Sequence, residues 1–354
     1  KVTDKIFDFS KVLVGRWKGG LGHVNVIASL IFSGMTGSAV ADASGLGIME
    51  IEAMRKEGYD DGFSAAITAG SAVIGPIFPP SIPLVIYGVI AGASIGNLFL
   101  AGMVPGIILA LALCIYVCYI ANKRNYPSGK RYAGMEFVRM TVSAIPALLT
   151  PVILLMGIYT GIMTATEAGA VAALYALIIS VFAYRSITLP EFMQVLKNTV
   201  RSTGQIGIML GAAYVFSYVI AVENLPSLAG SLILSFATTK VSFLIFVNIL
   251  LFILGMLLDS AVLQLVLLPI LCPIAQSFGI DMVHFGVVFT LNTMIGLCTP
   301  PFGMLLFIVT GISGEKMNTI IKEIMPMVFV MVLVLILVTF VPDVIMWLPR
   351  LFGR

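Results

Sequence analysis

Two proline-rich stretches interrupt the apolar sequence of this chain and decide its fold. Residues 75–83 read GPIFPPSIP, and residues 296–303 read GLCTPPFG. Each stretch lies inside an apolar run that is long enough to cross a membrane, 60–92 for the first and 281–312 for the second. Because proline has no backbone N–H to donate and clashes with the preceding helical turn, each run is predicted to be a crossing with an unwound middle.

The two stretches are copies of each other, since Gly75 and Gly296 are 221 residues apart and the surrounding residues keep that spacing. The matching pairs, found without a gap, are Gly34/Gly255, Met35/Met256, Gly58/Gly279, Asp60/Asp281, Gly75/Gly296, Pro79/Pro300, Pro80/Pro301, Leu84/Leu305, Asn97/Asn318 and Pro105/Pro326. Chance supplies one or two such matches, but not a whole series of glycines and prolines. The chain is therefore predicted to contain an internal duplication.

The composition is that of a membrane protein. Of 354 residues, 59% are hydrophobic and 10% are charged, and the mean hydropathy is +1.08. An average soluble domain has about 25% charged residues, so no large soluble domain is predicted. At about 20 apolar residues per crossing, the length allows roughly eight crossings and some partial ones. The net charge of +3 is scattered among loops, which argues against binding to nucleic acid.

Each repeat opens with a second kind of interrupted apolar run. Residues 22–54 are broken at 33–38, and residues 241–277 are broken at 254–260. Each arm is shorter than the roughly 20 residues that a helical crossing needs, so each run is predicted to be a re-entrant helical hairpin. The predicted fold class is therefore an all-α polytopic membrane protein with inverted repeats, each containing a re-entrant hairpin and a broken transmembrane helix.

The remaining sequence completes the repeats and connects them. The predicted organisation is an interfacial arm helix over 1–21, a first repeat over 22–122, a connecting scaffold over 123–222 and a second repeat over 223–354. Uninterrupted crossings are predicted over 97–121, 141–159, 164–184, 203–222 and 324–341, with short amphipathic pieces over 190–202 and 224–238. Both repeats together are predicted to form the moving part of the protein, and the connecting segment its scaffold.

The loop charges predict that the two repeats face opposite sides of the membrane. The loop 122–139 contains Lys123, Arg124, Lys130, Arg131 and Arg139 against a single acidic residue. Such an excess of basic residues marks a cytoplasmic loop. The segment 92–101 at the other end of the preceding crossing is uncharged, whereas the matching segment 313–322 contains Lys316 and Lys322. Corresponding loops are thus predicted to lie on opposite sides, as an inverted repeat requires.

Oxygen-bearing side chains in the predicted hairpins indicate where a ligand binds. They are Thr36, Ser38 and Asp42 in the first repeat and Asp259 and Ser260 in the second. An aspartate inside a membrane segment costs roughly 2.5–3.5 kcal/mol on insertion scales, and unwound backbone exposes carbonyl oxygens. These oxygens suit a hard cation such as Na⁺, with one site per repeat. The alternatives are hydroxyls bonded to their own helix, aspartates that cap helices and prolines that only kink them.

Other polar residues favour structural roles. Thr164 and Glu167 have the spacing of a capping box at the start of a helix. His23 and His284 stand alone in the sequence, so no metal cluster is predicted. The cysteines lie in apolar stretches without a CxxC motif and are interpreted as packing residues; they are Cys114, Cys118, Cys272 and Cys298.

Several long segments resemble the large membrane (M) subunit of the tripartite ATP-independent periplasmic (TRAP) transporters. They are GSAVADASGLGIMEIEAM at 37–54, YDDGFSAAITAGSAVIGPIFPPSIPLVIYGV at 59–89, TATEAGAVAALYA at 164–176, GMLLDSAVLQLVLLPI at 255–270 and LNTMIGLCTPPFG at 291–303. The resemblance runs from about residue 10 to the C-terminus. It departs from the family at Ser260-Ala-Val262, where many relatives have Thr-Thr-Pro, and the family's first helices have no counterpart here.

The resemblance implies an importer of the bacterial inner membrane, driven by two Na⁺ ions and moving a carboxylate solute by an elevator mechanism. It implies no enzymatic activity. It also implies a small four-helix membrane subunit and a soluble periplasmic binding protein as partners. Carried over by position, the first Na⁺ site comprises Thr36, Ser38, Gly75, Phe78 and Pro80, with Asp42 close by, and the second comprises Asp259, Gly296, Thr299 and Phe302, alongside Ser260.

Two other functions remain as alternatives. One is a stand-alone Na⁺/dicarboxylate or anion symporter with a related inverted-repeat fold. The other is an intramembrane enzyme, which would need a nucleophile paired with a base, and neither histidine has such a partner in the sequence. Sialic acids and C4-dicarboxylates are both open as substrates. Because the two crossings before the second hairpin have no counterparts before the first, roughly 50–70 further residues are expected upstream.

Overall fold

A computed structural model describes residues 2–130, 132, 134–223 and 237–353, and these residues are almost entirely helical. From the N-terminus the helices are α1 (Val2–Val14), α2 (Gly20–Thr36), α3 (Ala39–Lys56), α4 (Asp61–Ala72), α5 (Ile82–Ala91) and α6 (Ile95–Arg124). Next come α7 (Met135–Tyr159), α8 (Ala165–Ile178) with a π-helical turn at Ile179–Ala183, and α9 (Leu189–Val222). The last are α10 (Lys240–Gly255), α11 (Ser260–Ser277), α12 (Met282–Leu297), α13 (Met304–Ser313), α14 (Met317–Phe340) and α15 (Asp343–Phe352).

The helix bounds repeat with the spacing found in the sequence. Helices α3 and α11 begin and end 221 residues apart, and both proline-rich stretches lie between two helices. Both also contain one cis peptide bond at the same place, Pro79–Pro80 and Pro300–Pro301. The residues at the starts of α3 and α11 act alike, because the side chains of Ser38 and Asp259 each accept a hydrogen bond from the first helical turn. The duplication is therefore present in the backbone as well as in the sequence.

The two repeats are packed into each other by reciprocal contacts. Helix α4 of the first repeat packs against α13 and α14 of the second, and its counterpart α12 packs against α5 and α6 of the first. In the same way, α3 packs against α13 and α11 packs against α5. Because every such contact has its exchanged partner, the repeats are related by an approximate two-fold axis. Helices α4 and α12 are almost fully buried and form the centre of the bundle.

Polar contacts also join the repeats. Tyr87 is a fully buried residue. Its hydroxyl donates a hydrogen bond of 2.7 Å to the backbone oxygen of Met282. At one end of α6, the guanidinium of Arg124 donates two hydrogen bonds of 2.8 and 2.9 Å to the carboxylate of Glu323 and a third of 3.1 Å to Asp60. Several hydrogen bonds from one guanidinium group fix the relative position of the helices that it joins as well as their distance.

The connecting helices lie at the edge of the bundle. Helix α7 packs against α1, α2 and α8, and helix α9 packs against α11. Most of their apolar side chains are exposed in the isolated chain, with Leu174 and Ile208 as examples. Exposed apolar helices are expected where a chain faces lipid or another membrane subunit.

Six described helices are long and apolar enough to cross a membrane. They are Ile95–Arg124, Met135–Tyr159, Ala165–Ala183, Leu189–Ile220, Ser260–Ser277 and Met317–Phe340. Shorter apolar helices such as α2, α5, α10, α12 and α13 lie between them. The all-helical, multi-pass character predicted from the composition is confirmed.

Two segments differ from the prediction. The amphipathic piece 190–202 and the crossing 203–222 form one continuous helix, α9. Pro190 does not break it, because the first helical turn needs no N–H from that position. The C-terminal tail forms a helix of its own, α15, which packs on α6. The predicted piece 224–238 lies almost wholly outside the described residues.

Candidate functional site

The site is built from two helix pairs and two interruptions. The first helix pair is α2–α3, joined at Gly37–Ser38, and the second is α10–α11, joined at 256–259. The first break is the non-helical stretch 73–81 between α4 and α5, and the second break is 298–303 between α12 and α13. The first break is largely buried, whereas the second tip and the second break are partly exposed. Backbone groups that have left a helix in the buried part of the bundle need other partners.

The tips of both helix pairs line one cavity, called the central cavity below, with a volume of about 130 Å³. Three of the helices that border it begin there. Helix α3 begins after Ser38, α5 begins at Ile82, and α11 begins after Asp259. The N-terminus of a helix carries unpaired N–H groups and a partial positive charge. The cavity is thus bordered by three helix N-termini, with one carboxylate, Asp259, in its lining.

The first tip fits closely against the first break. Gly37 has φ +59°, and a Cβ at this position would lie 2.5 Å from the backbone oxygen of Pro80. The oxygen of Gly37 accepts a hydrogen bond of 3.3 Å from the N–H of Ile82. Gly75 lies against the backbone of Ser38, whose oxygen would be 3.6 Å from an added Cβ. Glycine is required at the tip because the chain needs both a left-handed conformation and a close backbone approach.

The second tip fits against α12 by the same means. A Cβ on Gly296 would lie 2.5 Å from the carbonyl carbon of Gly255, so the two backbones are in direct contact. The hydroxyls of Ser260 and Thr293 form a buried hydrogen bond of 2.9 Å. The second pair is therefore held against its own repeat by contacts that leave no space for larger side chains.

The structure brings together most of the residues predicted for the first Na⁺ site. Thr36, Ser38, Gly75 and Pro80 lie at the contact between the first tip and the first break. The hydroxyl of Thr36 makes a long hydrogen bond of 3.4 Å to its own helix. Asp42 is not part of this group, because its carboxyl does not line the central cavity and is buried between helices instead. Phe78, the remaining member, packs on Gly106 of α6.

The residues predicted for the second Na⁺ site divide in the same way. Asp259 borders the central cavity and also caps α11, accepting a hydrogen bond of 2.8 Å from the N–H of Ala261. Thr299 lies in the second break, and its hydroxyl donates to the backbone oxygen of Ile295 at 2.7 Å. Phe302 points outward with 59% of its surface exposed. Backbone oxygen is therefore the contribution that Phe302 can make to a site.

The donors at both tips are oxygen atoms of the kind that hard cations accept. An added Cβ on Gly303 would lie 2.8 Å from the backbone oxygens of both Leu297 and Thr299, so carbonyl oxygens converge in the second break. Carbonyl and hydroxyl oxygens with one carboxylate are ligands that alkali and alkaline-earth cations accept. Among the described residues, no three His, Cys, Asp or Glu side chains are grouped as a transition-metal site would need. These oxygens could hold a hard cation, with Asp259 as the charged member of the set.

A second group of polar residues escaped the sequence analysis. Asn25 and Ser29 of α2, Asp42 and Glu50 of α3, and Thr68 and Ser71 of α4 form a buried polar seam. Of these six residues, Asp42 alone was named in the sequence analysis. The helical period was the available signal, because residues 42, 46, 50 and 54 recur every four positions and face the same side of α3.

The structural reading of Thr164 and Glu167 is confirmed. Thr164 and Glu167 form a capping box in which the Thr164 N–H donates to the Glu167 carboxylate at 2.8 Å. All four cysteines are free thiols.

A helical membrane protein whose two repeats bring broken helices and helix-pair tips to a shared cavity belongs to the class of secondary transporters. Residues 1–344 match the family described as tripartite ATP-independent periplasmic transporter, DctM component. The chain belongs to this family.

Known relatives carry the same description. The sialic acid TRAP transporter large permease protein SiaM of Vibrio cholerae is 43% identical over 99% of this chain and 82% of its own length. The sialic acid TRAP transporter permease protein SiaT of Haemophilus influenzae is 41% identical over 99% of this chain and 57% of its own length. The C4-dicarboxylate TRAP transporter large permease protein DctM of Pseudomonas aeruginosa is 34% identical, with coverages of 99% and 82%. All are named permeases, in agreement with the prediction that the chain is not an enzyme.

Proposed function

We propose that this chain is the large permease of a Na⁺-driven importer for an organic anion, with sialic acid as the favoured substrate. The observation that carries the proposal is the central cavity, where the tips of both helix pairs and the N-termini of three helices meet. Helix N-termini bind carboxylate and phosphate groups through their free N–H groups and dipoles. A carboxylate substrate would therefore be held by α3, α5 and α11 together.

Na⁺ would complete the site by balancing charge. A carboxylate substrate beside Asp259 places two like charges at the edge of one cavity, which is unfavourable in a buried environment. A cation bound by Asp259 and the carbonyl oxygens of the second break removes that repulsion. Ser38, Gly75 and Pro80 would hold a second cation at the first tip, through one hydroxyl and backbone oxygens. Substrate affinity then depends on Na⁺, which is the physical basis of coupled transport.

The relatives support an anionic substrate and favour sialic acid. The relatives are named as transporters of sialic acid, C4-dicarboxylates, isethionate and 2,3-diketo-L-gulonate. All four substrates are organic anions. Identity is 43% and 41% to the sialic acid transporters and 34–35% to the other three. The chain is thus more similar to the sialic acid permeases.

The architecture supports an elevator mechanism in the inner membrane. The helix pairs are proposed to be re-entrant and the repeats inverted, so that the two-fold axis lies in the membrane plane. The repeats would move as one body, since α4 and α12 are buried between them. The exposed faces of α7, α8 and α9 would contact lipid and a small four-helix membrane subunit. A soluble periplasmic binding protein is proposed to deliver the substrate.

The proposal is tested by uptake of labelled sialic acid into proteoliposomes that contain this permease, its small subunit and the substrate-loaded binding protein. We expect uptake only with an inward Na⁺ gradient and faster uptake when the inside is negative. Each Na⁺ gains about 2.3 kcal/mol from 100 mV and about 1.4 kcal/mol from a tenfold gradient. Equal uptake with choline or K⁺ in place of Na⁺ would reject the Na⁺ coupling. The same assay with a C4-dicarboxylate and its binding protein separates the substrate classes.

A further inference from the structure

The polar seam between α2, α3 and α4 is an isolated hydrogen-bond network inside the first repeat. The amide of Asn25 donates to the hydroxyl of Thr68 at 2.7 Å and accepts from the hydroxyl of Ser71 at 2.7 Å. Ser29 is bonded to Ser71 at 3.1 Å. All of these side chains are at most 1% exposed. Their hydrogen bonds are made mainly with one another and with their own helices.

Glu50 lies on the α3 side of this seam without a partner. Its side chain is 1% exposed, and neither carboxyl oxygen has a hydrogen bond. Asp42, two turns earlier on the same helix face, is equally buried and equally without a hydrogen bond, although Ser29 faces it. Two negative charges at such positions would repel each other in a medium of low polarity.

In the described part of the chain, the helices packed on α3 offer no positive group that pairs with Glu50. The helices packed on α3 are α2, α4 and α13. In α2 the titratable side chain is His23, which is turned toward Trp17 and Cys118, and α13 contains none. Asp61 begins α4 and is paired with Arg55, while Asp60 is paired with Arg124. On α3 itself, Lys56 is exposed and pairs with Glu52.

The second repeat shows what this position needs for packing. The counterparts of Asp42 and Glu50, 221 residues later, are Leu263 and Leu271, each 2% exposed. The counterpart of Thr68 is Phe289, which is fully buried. The same backbone arrangement is therefore filled by apolar side chains in one repeat and by carboxyl groups in the other. A neutral carboxylic acid is close to leucine in size and is compatible with this packing. A carboxylate is not, because it would bring an unbalanced charge into the same buried position.

A proton suits Glu50 better than a metal ion does. A hard metal cation needs several oxygen ligands that converge on one point. Among the described residues no group of three acidic, histidine or cysteine side chains could hold a metal. The amide and hydroxyl groups of the seam are already engaged with each other. A proton needs one oxygen, which Glu50 supplies.

We propose that Glu50 is a proton-binding site of the first repeat, holding its proton at neutral pH while the protein is folded. Unfolding exposes the carboxyl to water, where it is ionised at neutral pH. The folded state then binds one proton more than the unfolded state. By linkage, stability falls as the pH rises, by up to a factor of ten in the folding equilibrium per pH unit. The second repeat, with Leu271, has no such site.

The direct test is the infrared spectrum of the purified full chain at neutral pH. We expect the band of a protonated carboxyl group in the wild-type protein and a weaker band in Glu50→Gln, which keeps the side-chain size without the titrating group. Any band that remains would come from the equally buried Asp42. Glu52→Gln is the matched control, because Glu52 is two residues away on the same helix and exposed. That substitution should leave the band unchanged. If the band is absent from the wild type, or is equally strong in Glu50→Gln, the proposal is wrong.

A second measurement keeps the proposal testable where a substitution weakens folding. The thermal stability of the wild type, Glu50→Gln and Glu50→Leu is compared between about pH 6 and about pH 9. We expect the wild type to lose stability with rising pH and both variants to lose less, because neither takes up a proton on folding at this position. Parallel pH profiles for all three proteins would overturn the proposal.

Discussion

The two repeats have the same backbone but place their polar groups differently. The first repeat has a serine at its helix-pair tip and two buried carboxyl groups behind it, whereas the second has Asp259 at its tip and leucines at the two matching positions. Glycines and prolines are retained at matching positions in both. The difference teaches that the bends and close approaches are set by the backbone, while the chemistry of each half can change independently.

The tips show this division most clearly. Ser38 and Asp259 both cap the helix that follows, so a capping role alone does not distinguish them. Only Asp259 brings a charge to the central cavity. If the carboxylate serves a cation and not just the helix, the two positions must respond differently to the same substitution.

The largest expected effect is that of Asp259→Ala on transport. This substitution should lower Na⁺-dependent uptake by at least about tenfold, which corresponds to about 1.4 kcal/mol. A lost cap by itself costs about 1 kcal/mol of stability. Asp259→Ser is the matched variant, because serine can still cap the helix but carries no charge. We expect Asp259→Ser to fold normally and to show the same loss of uptake, and Ser38→Ala to show a smaller one. Wild-type uptake and Na⁺ dependence in Asp259→Ser would mean that the carboxylate is only a cap.

The next comparison concerns the glycines of the two breaks. A Cβ on Gly296 would meet the backbone of Gly255 at 2.5 Å, but on Gly75 the nearest atom is the oxygen of Ala72 at 3.3 Å. Gly296→Ala must therefore move backbone and should cost about 1–3 kcal/mol, as overpacked substitutions do. Gly75→Ala should cost less than half of that. Thermal unfolding of both variants in the same detergent measures the difference, and equal losses would contradict the asymmetry of the two contacts.

The smallest effect is expected at the contact between the repeats. Tyr87→Phe removes the hydroxyl that donates to the backbone oxygen of Met282 and leaves the ring in place. A hydrogen bond of this kind contributes about 0.5–1.5 kcal/mol. The counterpart of Tyr87 in the second repeat is Ile308, so the bond exists on one side only. Ile308→Val is the control for a small change of packing, and a larger loss there than in Tyr87→Phe would place the dominant contact in the second repeat.

The sequence predicted the parts of the fold that depend on local backbone chemistry. Prolines 79, 80, 300 and 301 located both interruptions, because each pair of consecutive prolines removes two adjacent N–H donors. Single prolines such as Pro105 and Pro269 remain inside helices. The 221-residue spacing related the repeats, and the capping box at Thr164 was correct in detail. These features are visible in one sequence because they need no knowledge of which helices touch.

What the sequence did not predict depends on how helices are turned toward each other. Asp42 was grouped with Ser38 as an oxygen donor of the first predicted hairpin, but its carboxyl is buried between α2, α3 and α4 and does not line the central cavity. Glu50 was passed over beside Glu52, although one is buried and the other exposed. The pairing of Asn25 with Ser71 spans 46 residues and follows from tertiary packing alone. Such placements require the packed structure.

The reciprocal packing of the repeats has a consequence for how the protein is made. Helix α4 ends at Ala72, but α14, against which it packs, begins only at Met317. At about 5–20 residues per second, synthesis of the roughly 250 residues between them takes about ten to fifty seconds. During that interval the first repeat has left the ribosome without the surface that will cover its central helix. Its carboxyl groups and interrupted backbone must be tolerated by the translocation machinery or by a temporary partner until the second repeat arrives.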